Sequence, residues 1–264
     1  MRKYFGKKRS WRGKLLALLF FIFTLGLLYF IFFSPYFGIK NIEISGLEKI
    51  NYDEMRAAVD AQTKSRRFFV FSQSNIFIFD EKGIAEKLNE KYSLEFLQID
   101  KSLPGNIKIS LEEKKPAIIW KSAEKLYLVD WDGAIIREIP KTEVLEYPVN
   151  NPGAKMATVF DESNSTVEIK ENILAAEEIY DINDLQNNFP RATGLSISNF
   201  MMTDKDDSAI KCVTGEGWAA YFSLINDLNA QIVKLNAFMG ENNLEARKGL
   251  EYVDLRFEDR VYYK

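Results

Sequence analysis

An uninterrupted apolar segment near the start of the chain has the length and composition of a membrane-spanning helix. Leu15 to Phe33 are nineteen residues without a charge, and fifteen of them are Leu, Ile or Phe. A helix rises about 1.5 Å per residue, so this one is about 28 Å long, close to the hydrocarbon thickness of a bilayer. At roughly 0.3–0.6 kcal/mol for each of the fifteen side chains, insertion is favoured by about 4–9 kcal/mol. We predict a transmembrane helix that begins at Leu15 and ends at Phe33.

The charges on either side of the apolar segment predict its orientation. Residues 1–14 contain seven Lys or Arg and no acidic residue, whereas Lys40 is the only basic residue close after the segment. Because an excess of basic residues marks the cytoplasmic side, the basic tail is predicted to be cytoplasmic and the chain after about residue 34 to lie outside. A cleaved signal peptide is the alternative. Its apolar region would be shorter and a small-x-small cleavage site should follow, whereas "SPYFGIK" follows here.

The alternation of apolar and polar residues after this segment predicts a small domain of three strands and two helices. A strand is predicted in "FGIKNIEIS", and two more in "SLEFLQID" and "NIKISLEE", which a Pro-Gly turn joins. Helices are predicted at about 52–62 and 81–92, with Asn51 and Asp80 as their N-caps. Between the helices, residues 63–74 ("TKSRRFFVFSQS") fit neither period, and we expect a loop that tucks in its aromatic side chains. The predicted order is β-α-α-β-β.

A charged stretch that ends in Pro116 marks the boundary with a second domain. "LYLVDWDGAIIREI" has the pattern of a β-hairpin closed at Asp132-Gly133. Further on, the apolar spacing predicts a helix, two strands and a second helix, at about 171–187, 194–203, 208–214 and 224–239. We expect a mainly antiparallel sheet with helices packed on one face. The fold class is therefore α+β, preceded by a transmembrane helix.

The last residues, "EYVDLRFEDRVYYK" (251–264), alternate with the two-residue period of a strand. Val253, Leu255, Phe257 and Val261 fall on one face, and polar and aromatic residues fall on the other. A last strand often lies at a sheet edge, where its main chain lacks a partner on one side. We therefore predict an exposed edge strand that needs another chain to pair with.

Composition excludes several classes of chemistry. The chain has no histidine and a single cysteine, Cys212, so it lacks an imidazole base, a histidine-containing zinc site and an intramolecular disulfide. The net charge is −3 although residues 1–14 are strongly basic, so the remainder of the chain is acidic. An acidic chain is a poor partner for nucleic acid. We expect no catalytic residue, no bound metal and no cofactor.

Three short motifs could carry chemistry, and each has a simpler interpretation. Ser122 to Lys125 ("SAEK") fits the S-x-x-K of penicillin-recognising enzymes, but matches of this length arise by chance and the companion motifs are missing. The stretch "DESN" from Asp161, together with Glu168, and "DKDD" at 204–207 offer oxygen ligands for a hard cation. Neither has the spacing or the glycine of an EF-hand, so solvated loops are the simpler interpretation.

Taken in order, four stretches resemble the FtsQ/DivIB family of bacterial cell-division proteins over essentially the whole chain. The first is the basic tail with one apolar span, and the second is "FGIKNIEISGLEKINYDEM", similar to the start of a POTRA domain. The third runs from "IFIFDEKGIAEKL" to "FLQIDKSLPGNIKISLEEKKPAIIW", similar to the family's second helix, its proline-turn hairpin and its passage into the β-domain. The fourth is "LYLVDWDGAII" with "GEGWAAYFSL" and "YVDLRFEDRVYY". Lys101 stands where the family usually has an arginine, and residues 63–74 are longer than usual.

The resemblance implies a domain order and a function. Residues 15–33 are then the anchor, 37–114 a POTRA domain and 115–264 a β-domain that ends in an exposed strand. The family implies a non-catalytic scaffold of the divisome, in the cytoplasmic membrane at the division septum, that helps to control septal peptidoglycan synthesis. The implied partners are two small coiled-coil membrane proteins of the FtsB/DivIC and FtsL type, bound by strand addition along the last strand.

The same resemblance implies which side chains meet the partners. Phe257 aligns with an aromatic contact position of the family. The alternative is that Phe257 is a core residue, because it shares a face with Val253 and Leu255. The adjoining polar and aromatic contacts are implied to be Arg256, Glu258, Arg260 and Tyr262. For the charged residues among them, the alternative is that they are solvated and protect the edge against aggregation.

Two other functions are compatible with parts of the pattern. A POTRA-bearing membrane protein could instead act in protein transport or envelope assembly, but such proteins usually carry several POTRA units or a C-terminal β-barrel, and the sequence predicts neither. An extracytoplasmic enzyme is disfavoured by the lack of histidine and of a nucleophile motif. The division scaffold is therefore the leading hypothesis.

Overall fold

The computed structural model divides the chain into two units, unit 1 up to Glu113 and unit 2 from Lys114. It describes residues 11–67, 69–146, 156–203, 208–242, 247–257 and 259–264.

The apolar segment forms one helix, α1, from Trp11 to Phe33, and none of its side chains is buried. Within the described ranges, α1 is one helix whose length and apolar composition suffice to cross a membrane. The amide of Ser34 still donates to the carbonyl of Phe30 at 3.1 Å. Pro35 has no N–H to continue this pattern and begins a short 3₁₀ turn, so the helix ends at the predicted residue.

Unit 1 continues with a three-stranded sheet covered by two helices, in the predicted β-α-α-β-β order. Its elements are β1 (Asn41–Ser45), α2 (Tyr52–Lys64), β2 (Arg66–Arg67), β3 (Phe71–Ser72), α3 (Glu81–Lys91), β4 (Leu94–Ser102) and β5 (Asn106–Glu113). The sheet order is β1-β5-β4, with β1 parallel and β4 antiparallel to β5. The short β2–β3 hairpin replaces the loop predicted over 63–74, and the expectation that its aromatic side chains are tucked in is wrong for Phe69, which is 95% exposed.

The core of unit 1 lies between one face of this sheet and the two helices. The fully buried residues include Met55, Val59, Ile84, Leu88 and Ile109, which are the positions that the helical and strand periods place inward. The two predicted N-caps are confirmed. The side chain of Asn51 accepts hydrogen bonds at the start of α2, and the side chain of Asp80 accepts one at the start of α3.

Unit 2 is built on one nine-stranded mixed sheet. Its elements are β6 (Pro116–Ser122), β7 (Lys125–Asp130), β8 (Ile135–Ile139), a 3₁₀ helix (Lys141–Glu146), β9 (Thr158–Asp161), α4 (Ala176–Thr193), β10 (Ile197–Met202), β11 (Ala209–Thr214), β12 (Ala219–Ser223), α5 (Leu228–Glu241), β13 (Tyr252–Asp254) and β14 (Tyr262–Tyr263). The strand order is β14-β13-β12-β11-β10-β9-β6-β7-β8. Most neighbours are antiparallel, as predicted, and the parallel pairs are β6–β9, β9–β10 and β12–β13.

The helices α4 and α5 cover the core face of this sheet. They contribute Ile179, Ile182, Leu185, Phe189, Leu228, Ile232, Leu235 and Phe238 to one cluster of buried side chains. The sheet contributes Trp120, Phe200, Phe222 and Val253, all at most 1% exposed. The predicted α+β class, with helices on one sheet face, is confirmed.

Helix α5 begins later than predicted, at Leu228 and not near residue 224. The reason is local. The carboxylate of Asp227 accepts hydrogen bonds from the amides of Asn229 and Ala230, and this N-cap fixes the first turn. Leu224 is nevertheless buried.

Candidate partner-binding edge

The predicted single strand over 251–264 is two short strands in the structure. Strand β13 pairs in parallel with β12, in the register Ala220 with Val253. The chain then turns back, and β14 pairs antiparallel with β13, in the register Val253 with Tyr263. The strand β13 is therefore flanked on both sides by its own sheet, and the outermost strand at this end is β14.

The strand β13 ends because Asp254 draws the chain into a local hydrogen-bond network. Its carboxylate accepts two hydrogen bonds from the guanidinium of Arg256, at 2.9 and 2.7 Å, and one from the Arg256 amide at 3.2 Å. Asp254 is only 7% exposed, so these bonds satisfy a buried charge. Side chains that bond to nearby amides compete with the strand ladder, and here they end it.

Helix α5 holds the segment that follows β13. The ammonium of Lys234 donates to the carbonyl oxygens of Leu255 at 2.8 Å and Phe257 at 2.5 Å. The side-chain amide of Asn226 donates to the carbonyl of Arg256 at 3.2 Å. Between this segment and α5 lies a cleft of about 330 Å³, lined by Asn226, Asp227, Ala230, Gln231, Lys234, Leu255 and Arg256.

Of the predicted contact residues, the structure brings Phe257 and Tyr262 together at the surface. Their ring centroids are 5.0 Å apart in an edge-to-face arrangement, and the side chains are 49% and 45% exposed. Phe257 is therefore not a core residue, because the chain leaves the sheet after Asp254. Val253 and Leu255, by contrast, are fully buried.

The other three predicted contacts differ in their surroundings. Arg256 forms an ion pair with Asp254, and its guanidinium carbon lies 5.4 Å from the ring centre of Tyr221. Arg260 is exposed. Glu258 lies outside the described residues.

Among the residues that the structure describes, no strand pairs with the outer side of β14. Tyr252 and Lys264 exchange both of their N–H···O=C hydrogen bonds, each at 3.2 Å. Since such pairs alternate along an antiparallel ladder, the next pair, Val253 with Tyr263, is not hydrogen-bonded. The N–H and C=O groups of Tyr263 therefore point away from β13. The sheet, as described, ends there.

The opposite edge of the sheet, β8, is partly covered. The amide of Ile135 donates to the carbonyl of Glu171 at 2.9 Å, and its carbonyl accepts from the amide of Lys170 at 2.8 Å. The segment before α4 thus uses the outer main-chain groups of Ile135. At the other end of the sheet, the described residues show no such cover over the outer main-chain groups of Tyr263.

Two residues of this edge were missed by sequence reasoning. Tyr263 is 61% exposed, and its ring centroid lies 5.1 Å from that of Phe238 on α5. Lys234 interrupts the largely apolar stretch "QIVKLNAFM". A cation at such a position indicates that its side chain has a structural or binding role. What Lys234 binds could not be read from the sequence, because its acceptors lie more than twenty residues away.

An ion pair ties the chain before β13 to the β11–β12 turn. The guanidinium of Arg247 donates to the carboxylate of Glu216 at 3.1 and 3.0 Å and to the carbonyl of Asn242 at 2.8 Å. The indole N–H of Trp218 also donates to Glu216, at 2.8 Å. The hydrogen bonds from Arg247, and then the one from Trp218, lower the pKa of Glu216. Glu216 therefore stays ionised and keeps the entry to β13 in place.

We expect the substitution Lys234→Met to loosen residues 255–257 without unfolding unit 2. Hydrogen bonds to a charged group contribute about 1.5–3 kcal/mol, and partial exposure of Lys234 places the loss near the lower figure. Urea unfolding would show the loss, and amide exchange would rise in this segment. Lys234→Arg keeps a cationic donor and should retain most of the stability. If Lys234→Met matched the wild type in both measurements, the role assigned to Lys234 would be wrong.

The other motifs with possible chemistry have structural partners. The single hydroxyl proton of Ser122 is shared between two acceptors, the carboxylate of Asp161 at 2.9 Å and the carbonyl of Ser165 at 2.6 Å. Lys125 pairs with Glu138 at 2.9 Å. Burial alone would raise the pKa of Asp161, but hydrogen bonds from three serine hydroxyls, Ser163, Ser165 and Ser122, outweigh it and lower the pKa. This network closes a turn. Ser122 of "SAEK" and Asp161 of "DESN" therefore have structural roles.

No cluster of three or more potential metal ligands occurs among the residues that the structure describes, and the "DKDD" stretch at 204–207 lies outside them. Cys212 is fully buried, and burial raises the pKa of its thiol well above the ordinary value. A buried neutral thiol is a small apolar side chain and a poor nucleophile.

Comparison with known proteins agrees with the motif analysis. No family model matches the chain. The cell division protein FtsQ of Chloroflexus aurantiacus is 25% identical over 156 residues, which are 59% of this chain and 50% of that protein, and FtsQ of Chloroflexus aggregans gives the same figures. FtsQ of Mycolicibacterium smegmatis is 26% identical over 131 residues, 49% of this chain and 36% of that protein. The chain thus spans half or less of the length of these curated relatives. With the apolar helix α1 and the α+β units that follow it, these similarities show that about half of the chain is FtsQ/DivIB-like.

Proposed function

We propose that this protein is a non-catalytic scaffold of the divisome that binds small coiled-coil membrane proteins of the FtsB/DivIC and FtsL type. Binding occurs by addition of a partner strand to β14, and it helps to control septal peptidoglycan synthesis. The observation that carries the proposal is the open outer side of β14, next to the exposed aromatic pair of Phe257 and Tyr262. The similarity to FtsQ supports the cell-division context.

Strand addition suits this edge for a physical reason. An extended peptide that pairs with an exposed strand gains main-chain hydrogen bonds, and its alternate side chains give specificity. At β14 the outward N–H and C=O of Tyr263 offer such bonds, and the rings of Phe257 and Tyr262 offer apolar area. Arg256 stabilises the turn after β13 and is not a main partner contact, because its guanidinium already forms an ion pair with Asp254.

The proposed arrangement in the envelope follows from α1. The basic tail 1–14 favours a cytoplasmic N-terminus, and we propose that the chain after about residue 34 lies outside the cytoplasmic membrane. We propose that the protein acts there at the division septum. A scaffold needs no reactive group, which is compatible with a chain that has no histidine and in which Ser122 is committed to the Asp161 turn.

The experiment that tests the proposal replaces Phe257 with aspartate in the full chain. We expect Phe257→Asp to abolish co-purification of the coiled-coil partners from native membranes, because a charge replaces the apolar ring beside the edge. Phe96 in unit 1 has the same 49% exposure, so Phe96→Asp is the matched control and should leave co-purification unchanged.

The result is interpretable only if unit 2 stays folded, which urea unfolding of both variants checks. Phe257 is half exposed and outside the core cluster, so little loss of stability is expected. Normal capture of the partners by a folded Phe257→Asp chain would refute the assignment of this site.

A further inference from the structure

Unit 1 has an apolar and basic surface beside the end of α1. Apart from α1, the described part of unit 1 exposes seven large hydrophobic side chains, and five of them lie in three segments that adjoin the helix end: Tyr36, Phe69, Val70, Phe77 and Leu103. Phe69 is 95% exposed and Leu103 62%. Exposed hydrophobic side chains gathered at one place mark an interaction surface.

The first two of these segments are packed directly on the last turn of α1. The ring of Phe71, next to the exposed Val70, lies 5.9 Å from the rings of Phe32 and Phe33. The side-chain amide of Asn75 donates to the carbonyl of Ile31 at 2.8 Å, and so satisfies a main-chain acceptor at the helix end.

The third segment, the β4–β5 turn, reaches the same place. The carbonyl of Gly105 accepts a hydrogen bond from the amide of Lys40 at 2.8 Å. A Cβ at Gly105 would lie 2.0 Å from the carbonyl oxygen of Gly38, so glycine is needed for this close approach. The turn that carries the exposed Leu103 therefore lies against residues 38–40, which follow α1 along the chain.

The charges of these segments share one sign. Residues 34–42, 63–79 and 101–107 contain no acidic residue, whereas they contain Lys40, Lys64, Arg66, Arg67 and Lys101. Two of these pair with acidic residues just beyond the ranges, Arg67 with Asp80 at 3.9 Å and Lys101 with Glu81 at 3.4 Å, while Lys40, Lys64 and Arg66 are exposed. This is unusual in a chain whose net charge is −3. Basic side chains beside exposed aromatic and aliphatic ones are the composition that binds the surface of an anionic bilayer.

We propose that this surface docks on the lipid bilayer, with Phe69 and Val70 inserted at the boundary between headgroups and acyl chains. Lys40, Lys64 and Arg66 then face anionic headgroups, and the folded part of unit 1 is held in a fixed orientation against the membrane. A positive φ of 63° at Phe69 supports the assignment, because a bulky residue rarely adopts this conformation and here it presents the ring outward. The proposal rests on α1 spanning the membrane and is independent of partner binding at β14.

The test measures the depth of a spin label in vesicles that contain the full chain, made of phosphatidylcholine and phosphatidylglycerol at about 3:1. Cysteine replaces Val70 in one variant and Glu48, exposed at the other end of β1, in a second. Cysteine in place of Phe23, in α1, gives the value for the membrane interior. The native Cys212 is fully buried and does not compete for the label.

The quantity measured is the ratio of the spin label's accessibility to oxygen and to a nickel complex. We expect this ratio for the label at Val70→Cys to differ from that at Glu48→Cys and to approach that at Phe23→Cys. Adding Phe69→Asp to the Val70→Cys chain should return the ratio to the Glu48 value, and vesicles without phosphatidylglycerol should reduce the shift. Phe257→Asp should leave it unchanged, which separates this inference from the proposed function.

Two results would overturn the proposal. One is a Val70 label as exposed to nickel as the Glu48 label, while the Phe23 label reports the membrane interior. The other is a label at Val70 that becomes protected only when the coiled-coil partners are added, which would make this surface a protein contact and not a lipid contact.

Discussion

Tyr263→Pro is expected to abolish capture of the coiled-coil partners while unit 2 stays folded. Proline has no N–H, and the N–H of Tyr263 is the one that points to the open side of β14. Proline is tolerated in edge strands where the missing N–H faces solvent, so the folded protein should lose little stability. A partner strand, however, would lose a main-chain hydrogen bond and meet the proline ring, and we expect at least about tenfold weaker binding.

The matched control for this substitution is Tyr263→Val. Valine keeps the N–H and a high strand propensity but removes the aromatic ring. If main-chain pairing dominates, Tyr263→Val should retain most of the capture that Tyr263→Pro loses. Equal capture by the proline variant and the wild type, with urea unfolding curves that coincide, would exclude pairing at Tyr263.

Leu235→Ala is expected to have the largest effect on stability among the substitutions considered for α5. Leu235 is fully buried between the helix and the sheet. Removing such a side chain costs about 2–5 kcal/mol, a large part of the roughly 5–15 kcal/mol that stabilises a typical domain. Urea unfolding of the full chain in detergent should show this as a lower midpoint for unit 2.

The control for Leu235→Ala lies two residues earlier on the same helix. Val233 is 65% exposed, so Val233→Ala should change the free energy of unfolding by no more than about 0.5 kcal/mol. Because Lys234 lies between the two positions, the pair also shows whether α5 positions the edge. Leu235→Ala should weaken partner capture, and Val233→Ala should not. Similar stabilities of the two variants would contradict the described packing of α5.

Much of the fold could be predicted because it depends on local period. Three features are properties of neighbouring residues along the chain: the uncharged run up to Phe33, the N-caps at Asn51 and Asp80, and the apolar spacing that predicts α5. Each was read from spacing or from one side chain, and each is present in the structure.

The form of the last strand could not be predicted in the same way. The alternation from Val253 to Val261 is real, but a two-residue period does not reveal a reversal of chain direction. The reversal depends on Asp254, which binds Arg256, and on Lys234, which binds carbonyls more than twenty residues away. The insertion of β9 between β6 and β10 was equally hidden, because sheet order is set by packing across the whole unit.

The candidate site was predicted in part. Phe257 and Tyr262 were chosen from the resemblance to FtsQ/DivIB, and the structure places both rings together at the surface. The two interpretations of Phe257, core or surface, could be separated only after the turn at Asp254 was seen. Tyr263 was overlooked because its importance lies in the direction of its main-chain groups, which a side-chain pattern does not encode.

Amide hydrogen exchange at β14, with and without the coiled-coil partners, tests the strand-addition account most directly. In the free chain the amide of Tyr263 should exchange rapidly and that of Tyr262, which faces β13, slowly. Complex formation should slow exchange at Tyr263 by at least about tenfold, since a net hydrogen-bond contribution near 1.4 kcal/mol corresponds to that factor. Exchange at Tyr263 that stays as rapid in the saturated complex as in the free chain would contradict the account.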